Sequence, residues 1–281
     1  MKEQDEDIRI NFGKYDIPDD LRRFIALDRK HETRFDMIIG FITEIGGLRY
    51  YCTPCDVIVF GSNGCDGIHY GFLTDFGTVD TLDEAPIVCI SPMDFGHTNK
   101  LIARNFRDFL SILLEDSALF FNHFASEAAY LDQVAQWKRE EETNPYRDTP
   151  EEKQYTEDVK TMISAVFELQ HIEHPYEYIR AFQEERKNQA VVTTRDSIHV
   201  VLPDSFGNAL DEERRQLEQI DCEDEAAVQI FLEGASIPAT LAMARNIGMN
   251  ADNPSWFIME RFLVQHGFND EAIRAMKQPS Y

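Results

Sequence analysis

The sequence predicts an α+β protein, in which a mostly antiparallel sheet is backed by helices and is followed by a largely α-helical C-terminal extension. Two observations support this prediction. Between residues 48 and 90, short runs of β-forming residues alternate with glycine-rich turns, a pattern typical of a meandering antiparallel sheet. From residue 99 onwards, apolar residues recur every three or four positions in most segments, as they do on the buried face of a helix.

The chain begins with segments of different character. Residues 1–16 are expected to be flexible or extended. A helix is expected to open at the Ile-Pro-Asp-Asp sequence of residues 17–20, where Asp19 or Asp20 can cap it. Its apolar stripe consists of Leu21, Phe24, Ile25 and Leu27. Residues 35–42 form an apolar run before a Gly-Gly pair, and their β-branched content favours a strand for part of it.

The sheet is predicted from runs that are separated by turns. The DVIVF run at residues 56–60 is dense in β-forming residues, and GSNGCDG at 61–67 follows it as a turn. In that turn glycine supplies the positive φ angles, which asparagine and aspartate also tolerate. Residues 68–77 alternate aromatic and small side chains, and residues 85–90 form another short strand. These runs predict a meander with tight turns.

A helix over residues 99–114 is predicted next, because its apolar residues share one face, which would cover one face of the sheet. We therefore expect a first α+β domain over residues 15–116. Residues 117–281 are expected to form a mainly helical region, interrupted by a β-hairpin over residues 190–202 that turns at an Arg-Asp-Ser sequence. Three helical segments are expected from residue 224 to the end.

The charge of the chain restricts its partners. It has 51 acidic and 27 basic residues, which give a net charge of −24 at pH 7. Such a surface repels phosphate backbones and anionic lipids, so neither nucleic acid nor a membrane surface is an expected partner. A basic protein is favoured, because complementary charge speeds encounter and excludes wrong partners. The simpler alternative, that the acids only keep the protein in solution, is left open by the sequence.

Three features indicate a cytoplasmic location. The chain has no run of about 18 apolar residues, so no transmembrane helix is expected. The N-terminal sequence MKEQDEDIRINFGKY is acidic and contains no apolar segment, which argues against a secretory signal. The five cysteines, an odd number, are expected to stay reduced in a cytosol.

One group of soft ligands could hold a metal ion. Cys52, Cys55, Cys65 and His69 lie within 18 residues and could bind zinc tetrahedrally. However, Cys55 leads directly into the DVIVF strand, where small buried cysteines are common core residues. A redox function of the two nearest cysteines would need a helix that lowers the pKa of a thiol, and a strand follows instead. Zinc binding is therefore the less favoured alternative.

Other motifs point away from catalysis. The turn at 61–67 lacks the lysine and the following helix of a phosphate-binding loop, and a dinucleotide fingerprint also needs a helix there. His171 and His174 are three residues apart rather than four, which fits a helix end better than a metal site. The sequence contains no G-x-S-x-G motif and no grouping of nucleophile, base and orienting residue. We therefore predict no catalytic residue, no cofactor and no enzymatic activity.

A set of turn and core residues follows a known pattern. The matching residues are 17–21 (IPDDL), the turn residues Gly61, Asn63, Gly64, Asp66 and Tyr70, the strand residues 86–88 (PIV), and the helix residues Ala103, Asn105, Phe106, Phe109 and Leu110. Through these residues, positions 15–116 resemble the SUKH superfamily, also described as SMI1/KNR4-like domains. Cys65 stands where that family often has glycine, and residues 120–281 have no counterpart.

The resemblance implies an α+β fold with a mostly antiparallel sheet, and it implies binding rather than catalysis. Many bacterial members of the superfamily look like immunity proteins, which bind and neutralise nuclease or deaminase toxins. Fungal members are regulatory scaffolds. The expected function is therefore that of a non-catalytic immunity protein whose partner is a basic toxin. A regulatory scaffold is the alternative, and a zinc-binding protein is less favoured. The identity of the partner and the oligomeric state are left open.

Overall fold

A computed structural model describes residues 2–250 and 253–277, and the parts of the predictions that fall on other positions lie outside the described residues. Over this part of the chain the predicted α+β class is confirmed, with one five-stranded antiparallel sheet and thirteen α-helices. The strands are β1 (Ile42–Thr43), β2 (Val57–Ser62), β3 (His69–Leu73), β4 (Ile87–Ile90) and β5 (Asn99–Ala103). Each strand pairs with the one before it, so the predicted meander is confirmed.

The turn between β2 and β3 is the predicted glycine-rich segment. Gly64 and Gly67 have φ angles of 75° and 71°, and Asp66 has a φ angle of 51°. The side chain of Asn63 accepts a hydrogen bond of 2.9 Å from the backbone N–H of Cys65. The turn therefore forms where residues that tolerate a positive φ are placed together.

The N-terminal residues form a helix, α1 (Lys2–Phe12), so the expectation of a flexible or extended start is wrong. The helix is held by tertiary contacts. Phe12 is buried in the main hydrophobic cluster, and the Asn11 side chain donates a hydrogen bond of 2.7 Å to the carbonyl oxygen of Val59. Packing against the sheet decides this helix, because an isolated helix of this length is marginal in water.

Two further helices precede the first strand, α2 (Asp19–Lys30) and α3 (Asp36–Ile39). Asp19 or Asp20 was expected to cap α2, but neither does. Both lie in its first turn, where a negative charge interacts favourably with the helix dipole. The strand that was favoured for part of residues 35–42 is limited to β1, which begins at Ile42, whereas residues 36–39 form α3.

The predicted helix over residues 99–114 is wrong in its first part. Residues 99–103 are strand β5, which pairs with β4, and the helix α4 (Phe106–Asp116) begins later. The side chain of Asn105 caps α4 by accepting a hydrogen bond of 2.9 Å from the N–H of Asp108. Pairing with β4 thus outweighs a spacing of apolar residues that also fits a helix.

The C-terminal part of the described chain is mainly helical, as predicted. Its helices are α5 (Ala118–Phe121), α6 (Glu127–Thr143), α7 (Pro150–Phe167), α8 (Pro175–Gln189), α9 (Asp211–Gln219), α10 (Glu225–Gly234), α11 (Ile237–Ile247), α12 (Trp256–Gln265) and α13 (Asn269–Met276). After residue 224 there are four helices in the described residues rather than the three expected, because α12 and α13 are separate.

The predicted β-hairpin over residues 190–202 is wrong as a pair of strands. The described residues of this segment contain one isolated antiparallel bridge, between Val192 and Val200. Ser197 and His199 adopt left-handed backbone conformations, with φ angles of 64° and 53°, which a regular ladder does not allow. We refer to residues 194–200 as the 194–200 loop.

Both faces of the sheet are buried. One face packs against α2 and α4 through a cluster of aromatic rings that includes Phe24, Phe41, Phe60 and Phe109. The other face is covered by Phe182 of α8 and Ile198 of the 194–200 loop. A further cluster joins Cys55 and Phe76 to the C-terminal helices. Hydrophobic clusters therefore cross the predicted boundary at residue 116, and the division into domains stays a prediction.

Candidate functional site

A pocket of about 410 Å³ lies between β5, the end of α5, α8 and the 194–200 loop. Its volume falls within the range of about 300–1,000 Å³ that is usual for small-molecule sites. Six of its lining side chains carry or can carry a positive charge: His97, Lys100, His123, Arg180, Lys187 and His199. The acidic side chain that lines it is Glu184. In a chain with a net charge of −24, this is an unusual concentration of bases.

The ammonium group of Lys100 is held by neutral groups. Its Nζ donates hydrogen bonds to the carbonyl oxygens of Leu119, at 2.5 Å, and Asn122, at 2.9 Å. An ammonium has three N–H donors, so one is left over. No described residue forms an ion pair with Lys100. Burial lowers the pKa of Lys100 to about 8, and the positive charge of Arg180 acts in the same direction.

Helix α8 presents one face to the pocket, because the lining residues on it recur every three or four positions. Gln183 fastens this face to the sheet by donating a hydrogen bond of 3.0 Å to the carbonyl oxygen of Leu101. Arg180 and Lys187 are exposed at the edge of the pocket. Neither forms an ion pair with any described residue. Glu184 lies between them in the sequence and is likewise without an ion pair among the described residues.

Two histidines, His97 and His123, also line the pocket. The ring centroids of His97 and His123 are 4.8 Å apart. His123 Nε2 lies 2.7 Å from a carboxylate oxygen of Asp94, which holds the ring in place. Burial, followed by the charge of Lys100, lowers the pKa of His123, so the ring is neutral at pH 7 and gains charge only in acid.

The 194–200 loop forms a third side of the pocket through Ser197 and His199. A non-glycine residue in the left-handed region costs on the order of 1–3 kcal/mol and persists only where the surroundings impose it. Here the N–H of Thr194 donates to Nδ1 of His199 at 3.2 Å, and the N–H of His199 donates to the Thr194 hydroxyl at 3.0 Å. Residues in such conformations are common at binding sites.

A buried ionic network supports the loop from behind. Arg245 of α11 and Asp56 have side chains that are both 0% exposed, and they form two hydrogen bonds of 2.9 and 2.6 Å. Arg186 of α8 binds Asp75 in the same bidentate way, and Arg245 also contacts Asp75 and Asp196. Paired geometry of this kind gives strong, directional hydrogen bonds.

The network is tied to the loop through backbone carbonyls. Arg186 donates to the carbonyl oxygen of Ile198 at 2.8 Å and to that of His199 at 3.1 Å. Arg245 donates to the carbonyl oxygen of His199 at 3.3 Å. The left-handed residues are therefore fixed by buried charges on two helices and on the two segments that flank the β2–β3 hairpin at its open end.

The four residues weighed as zinc ligands are not brought together. Cys52 packs under one face of the sheet, Cys55 packs against the C-terminal helices, and Cys65 is exposed in the turn. The ring of His69 is used by Thr53 Oγ1, at 2.9 Å, and by the carbonyl oxygen of Gly67, at 2.7 Å. Across residues 2–250 and 253–277, no three His, Cys, Asp or Glu side chains cluster so that they could hold a metal ion.

The chemistry of these four residues fits core positions. Burial raises the pKa of Cys52 to about 12 and also raises that of Cys55, so both thiols stay protonated. Burial lowers the pKa of His69 to about 4, so its ring is neutral. The other histidine pair is also divided: His171 approaches Glu115 at 3.6 Å, and His174 is the N-terminal flank of α8.

The acidic excess lies on the surface. Among the described residues six acids and four arginines are buried. Because these numbers are similar, the remaining residues keep almost the whole excess of acids over bases. One stretch, residues 211–225, exposes seven acids and two arginines. We refer to it as the acidic segment; its exposed acids are Asp211, Glu212, Glu218, Asp221, Glu223, Asp224 and Glu225.

The sequence gives no sign of the pocket, because its bases are spread over more than 100 residues. One feature of the sequence could have indicated the ionic network: a single arginine, Arg245, lies in the apolar sequence IPATLAMARNI of α11. A charge in a helix that is buried must be paired, and Arg245 could have been recognised on that ground.

No protein-family model matches the chain, and no curated protein matches it either. Within the described ranges, no helix combines the length and the apolar character that crossing a membrane requires.

Proposed function

We propose that the chain is a non-catalytic protein that binds a basic protein partner, and specifically an immunity protein that neutralises a toxin such as a nuclease. The observation that carries the proposal is the acidic segment, where seven exposed acids stand against two exposed arginines. A basic partner would be attracted over about 10 Å at ordinary salt concentration and oriented before contact.

The acidic segment is rigidly supported, which favours binding because little ordering is needed on association. Arg195 donates hydrogen bonds to the carbonyl oxygens of Leu217, Glu218 and Ile220, at 3.3, 3.2 and 2.9 Å. The buried carboxylate of Glu213 accepts hydrogen bonds from the backbone and hydroxyl of Ser236, at 2.6 and 2.9 Å. The two ends of α9 are thus anchored, while Asp211, Glu212 and Glu218 stay exposed.

The resemblance of residues 15–116 to the SUKH superfamily supports the immunity function, and the α+β architecture is compatible with it. The proposal includes a cytoplasmic location, where the five free thiols stay reduced. A regulatory scaffold of the same superfamily would share the fold and would differ in its partner.

Co-expression with any toxin that is encoded beside this gene tests the proposal. We expect the chain to protect cells and to form a complex whose association rate falls at least about tenfold between about 0.05 and 0.5 M salt, because screening removes electrostatic steering. Absence of both protection and a complex would refute the immunity function. A complex with a host protein, without protection from any neighbouring toxin, would instead identify the scaffold.

A matched pair of variants locates the surface. The triple variant Glu218→Gln/Glu223→Gln/Glu225→Gln removes three charges from the acidic segment, and Glu140→Gln/Glu142→Gln/Glu151→Gln removes three exposed charges around the α6–α7 connection. We expect the first to slow association by about tenfold and the second by about twofold or less. Equal effects would show that overall charge, rather than this segment, attracts the partner.

A further inference from the structure

We propose that the pocket between β5, α8 and the 194–200 loop binds a small phosphorylated molecule, whose ring packs against Phe124 and Tyr176. The pocket concentrates bases in a protein that is otherwise acidic, which opposes the charge expected from composition alone. No residue of the acidic segment lines this pocket, and the proposal does not depend on protein binding.

Lys100 is the first reason for an anionic ligand. A charged ammonium that is partly buried without a carboxylate partner is costly, and an anion would supply the missing charge. Two of its three donors are used by the carbonyl oxygens of Leu119 and Asn122. The remaining donor and the full positive charge are available to a ligand in the pocket that Lys100 lines.

Arg180 and Lys187 are the second reason, and they favour a phosphate over a carboxylate. They lie two helical turns apart on the face of α8 that lines the pocket, with no ion pair to any described residue. Three bases face the carboxylate of Glu184 in the pocket lining and that of Asp94 beside His123, so the set keeps a net positive charge and offers several N–H donors. A phosphate monoester carries about −1.5 to −2 at pH 7 and offers three acceptor oxygens, so it matches this set better.

The rest of the pocket wall determines the body of the ligand. Phe124, Tyr176 and Ile179 form an apolar wall beside the bases. The hydroxyl of Tyr176 donates a hydrogen bond of 3.3 Å to the carbonyl oxygen of Phe124, and its ring stacks on Tyr130, with centroids 6.0 Å apart. A fixed aromatic wall beside cationic groups suits a ring that carries a phosphate.

The 194–200 loop is the third reason. Its two left-handed residues, Ser197 and His199, lie at the edge of the pocket and are imposed by the buried arginines behind them. Conformations of this kind cluster at ligand sites, where they hold a binding wall in one arrangement. The loop therefore gives the pocket a preformed side.

Isothermal titration of the full chain with adenosine 5′-monophosphate and with phenyl phosphate tests the site. We expect at least one to bind with a Kd below about 1 mM. Adenosine, which lacks the phosphate, and inorganic phosphate, which lacks the ring, should each bind at least about tenfold more weakly. A Kd above about 10 mM for both esters would overturn the proposal. Equal affinity for inorganic phosphate would overturn the assignment of a ring to Phe124 and Tyr176.

Paired variants place the ligand in this pocket. Lys100→Met/Arg180→Gln should weaken ester binding by at least about tenfold, because two charge-assisted contacts are lost. The control Lys153→Met/Arg147→Gln makes the same chemical changes at exposed positions in and before α7 and should leave binding unchanged. An equal loss in the control would overturn the location. If Lys100→Met/Arg180→Gln does not fold, Arg180→Gln/Lys187→Gln, which changes only exposed side chains, replaces it in the same titration.

Discussion

Arg186 and Arg180 lie on the same helix, yet their surroundings are opposite. Arg186 is buried and paired with Asp75 in two hydrogen bonds, beside the fully buried pair of Arg245 and Asp56. Arg180 is exposed at the pocket and, like Lys100, forms no ion pair with a described residue. The buried arginines on one side of the 194–200 loop stabilise the fold through ion pairs. Arg180 and Lys100, on the pocket side, form no such pairs with the described residues and are available to a ligand.

The strongest test of this comparison is Arg245→Met, which removes the centre of the buried network. We expect it to lower the free energy of unfolding by about 3–5 kcal/mol, because the carboxylate of Asp56 is left buried without its partner. Urea denaturation measures the loss. The control Arg215→Met breaks the exposed pair with Glu212 and should cost less than about 1 kcal/mol. A similar loss of unfolding free energy in both variants would contradict a larger contribution from the buried network.

A second test addresses the loop that separates the two regions. Ser197→Val places a β-branched residue at a φ angle of 64°, and it should lower the free energy of unfolding by about 1–2 kcal/mol. Ser197→Gly removes the conformational strain and should change stability by less than about 1 kcal/mol. Thermal unfolding of both variants checks the difference. Equal stability of the valine and glycine variants would contradict an imposed backbone conformation.

The pH dependence of ester binding gives a third test. The pKa of Lys100 is lowered to about 8, so its ammonium is charged at pH 7 and mostly neutral at pH 9. The charged groups that act on it are Arg180 and Asp94, the latter paired with His123, and the nearby thiol of Cys89 stays protonated because burial raises its pKa to about 12.

Phosphate esters remain dianions from pH 7 to pH 9, since their second pKa is about 6. Affinity should therefore fall by about fivefold to tenfold over this interval as Lys100 loses its proton. Titration calorimetry at the two pH values measures the change. Lys100→Arg keeps the charge at pH 9 and should flatten the profile; an identical fall in this variant would mean that another group titrates.

The smallest effect is expected where the comparison predicts no structural role. Arg180→Gln and Lys187→Gln remove exposed charges that pair with no described residue, so each should change the free energy of unfolding by less than about 0.5 kcal/mol. Urea denaturation alongside Arg245→Met measures this. A loss above about 2 kcal/mol would place these bases with the structural network instead.

Features that depend on neighbours in the chain could be predicted from the sequence. The turn at residues 61–67 forms where it was expected because glycine, asparagine and aspartate set the local φ angles. Strands β2, β3 and β4 follow from dense β-forming runs. The α+β class and the helical C-terminal part are confirmed for the same reason, since hydrophobic periodicity is a local property.

The predictions that were wrong concern segments where a contact with a distant part of the chain outweighs the local sequence pattern. Residues 99–103 have apolar residues at helical spacing, but pairing with β4 makes them a strand. The acidic N-terminal sequence shows no clear helical pattern. It forms a helix because Phe12 contacts the core and Asn11 contacts β2. The segment at 190–202 has the composition of a hairpin, but buried arginines behind it impose left-handed residues instead.

Composition and periodicity by themselves determined the charge of the protein, its class of fold and the positions of most turns and helices. Only the tertiary structure decided which charges are paired. Asp56 and Arg245 are 189 residues apart, and nothing local indicates that they meet. The same holds for Lys100 and Arg180, which come together only because α8 packs on β5. Charge sign is a property of residues, whereas charge pairing depends on distances through space, and these are set by the packed core.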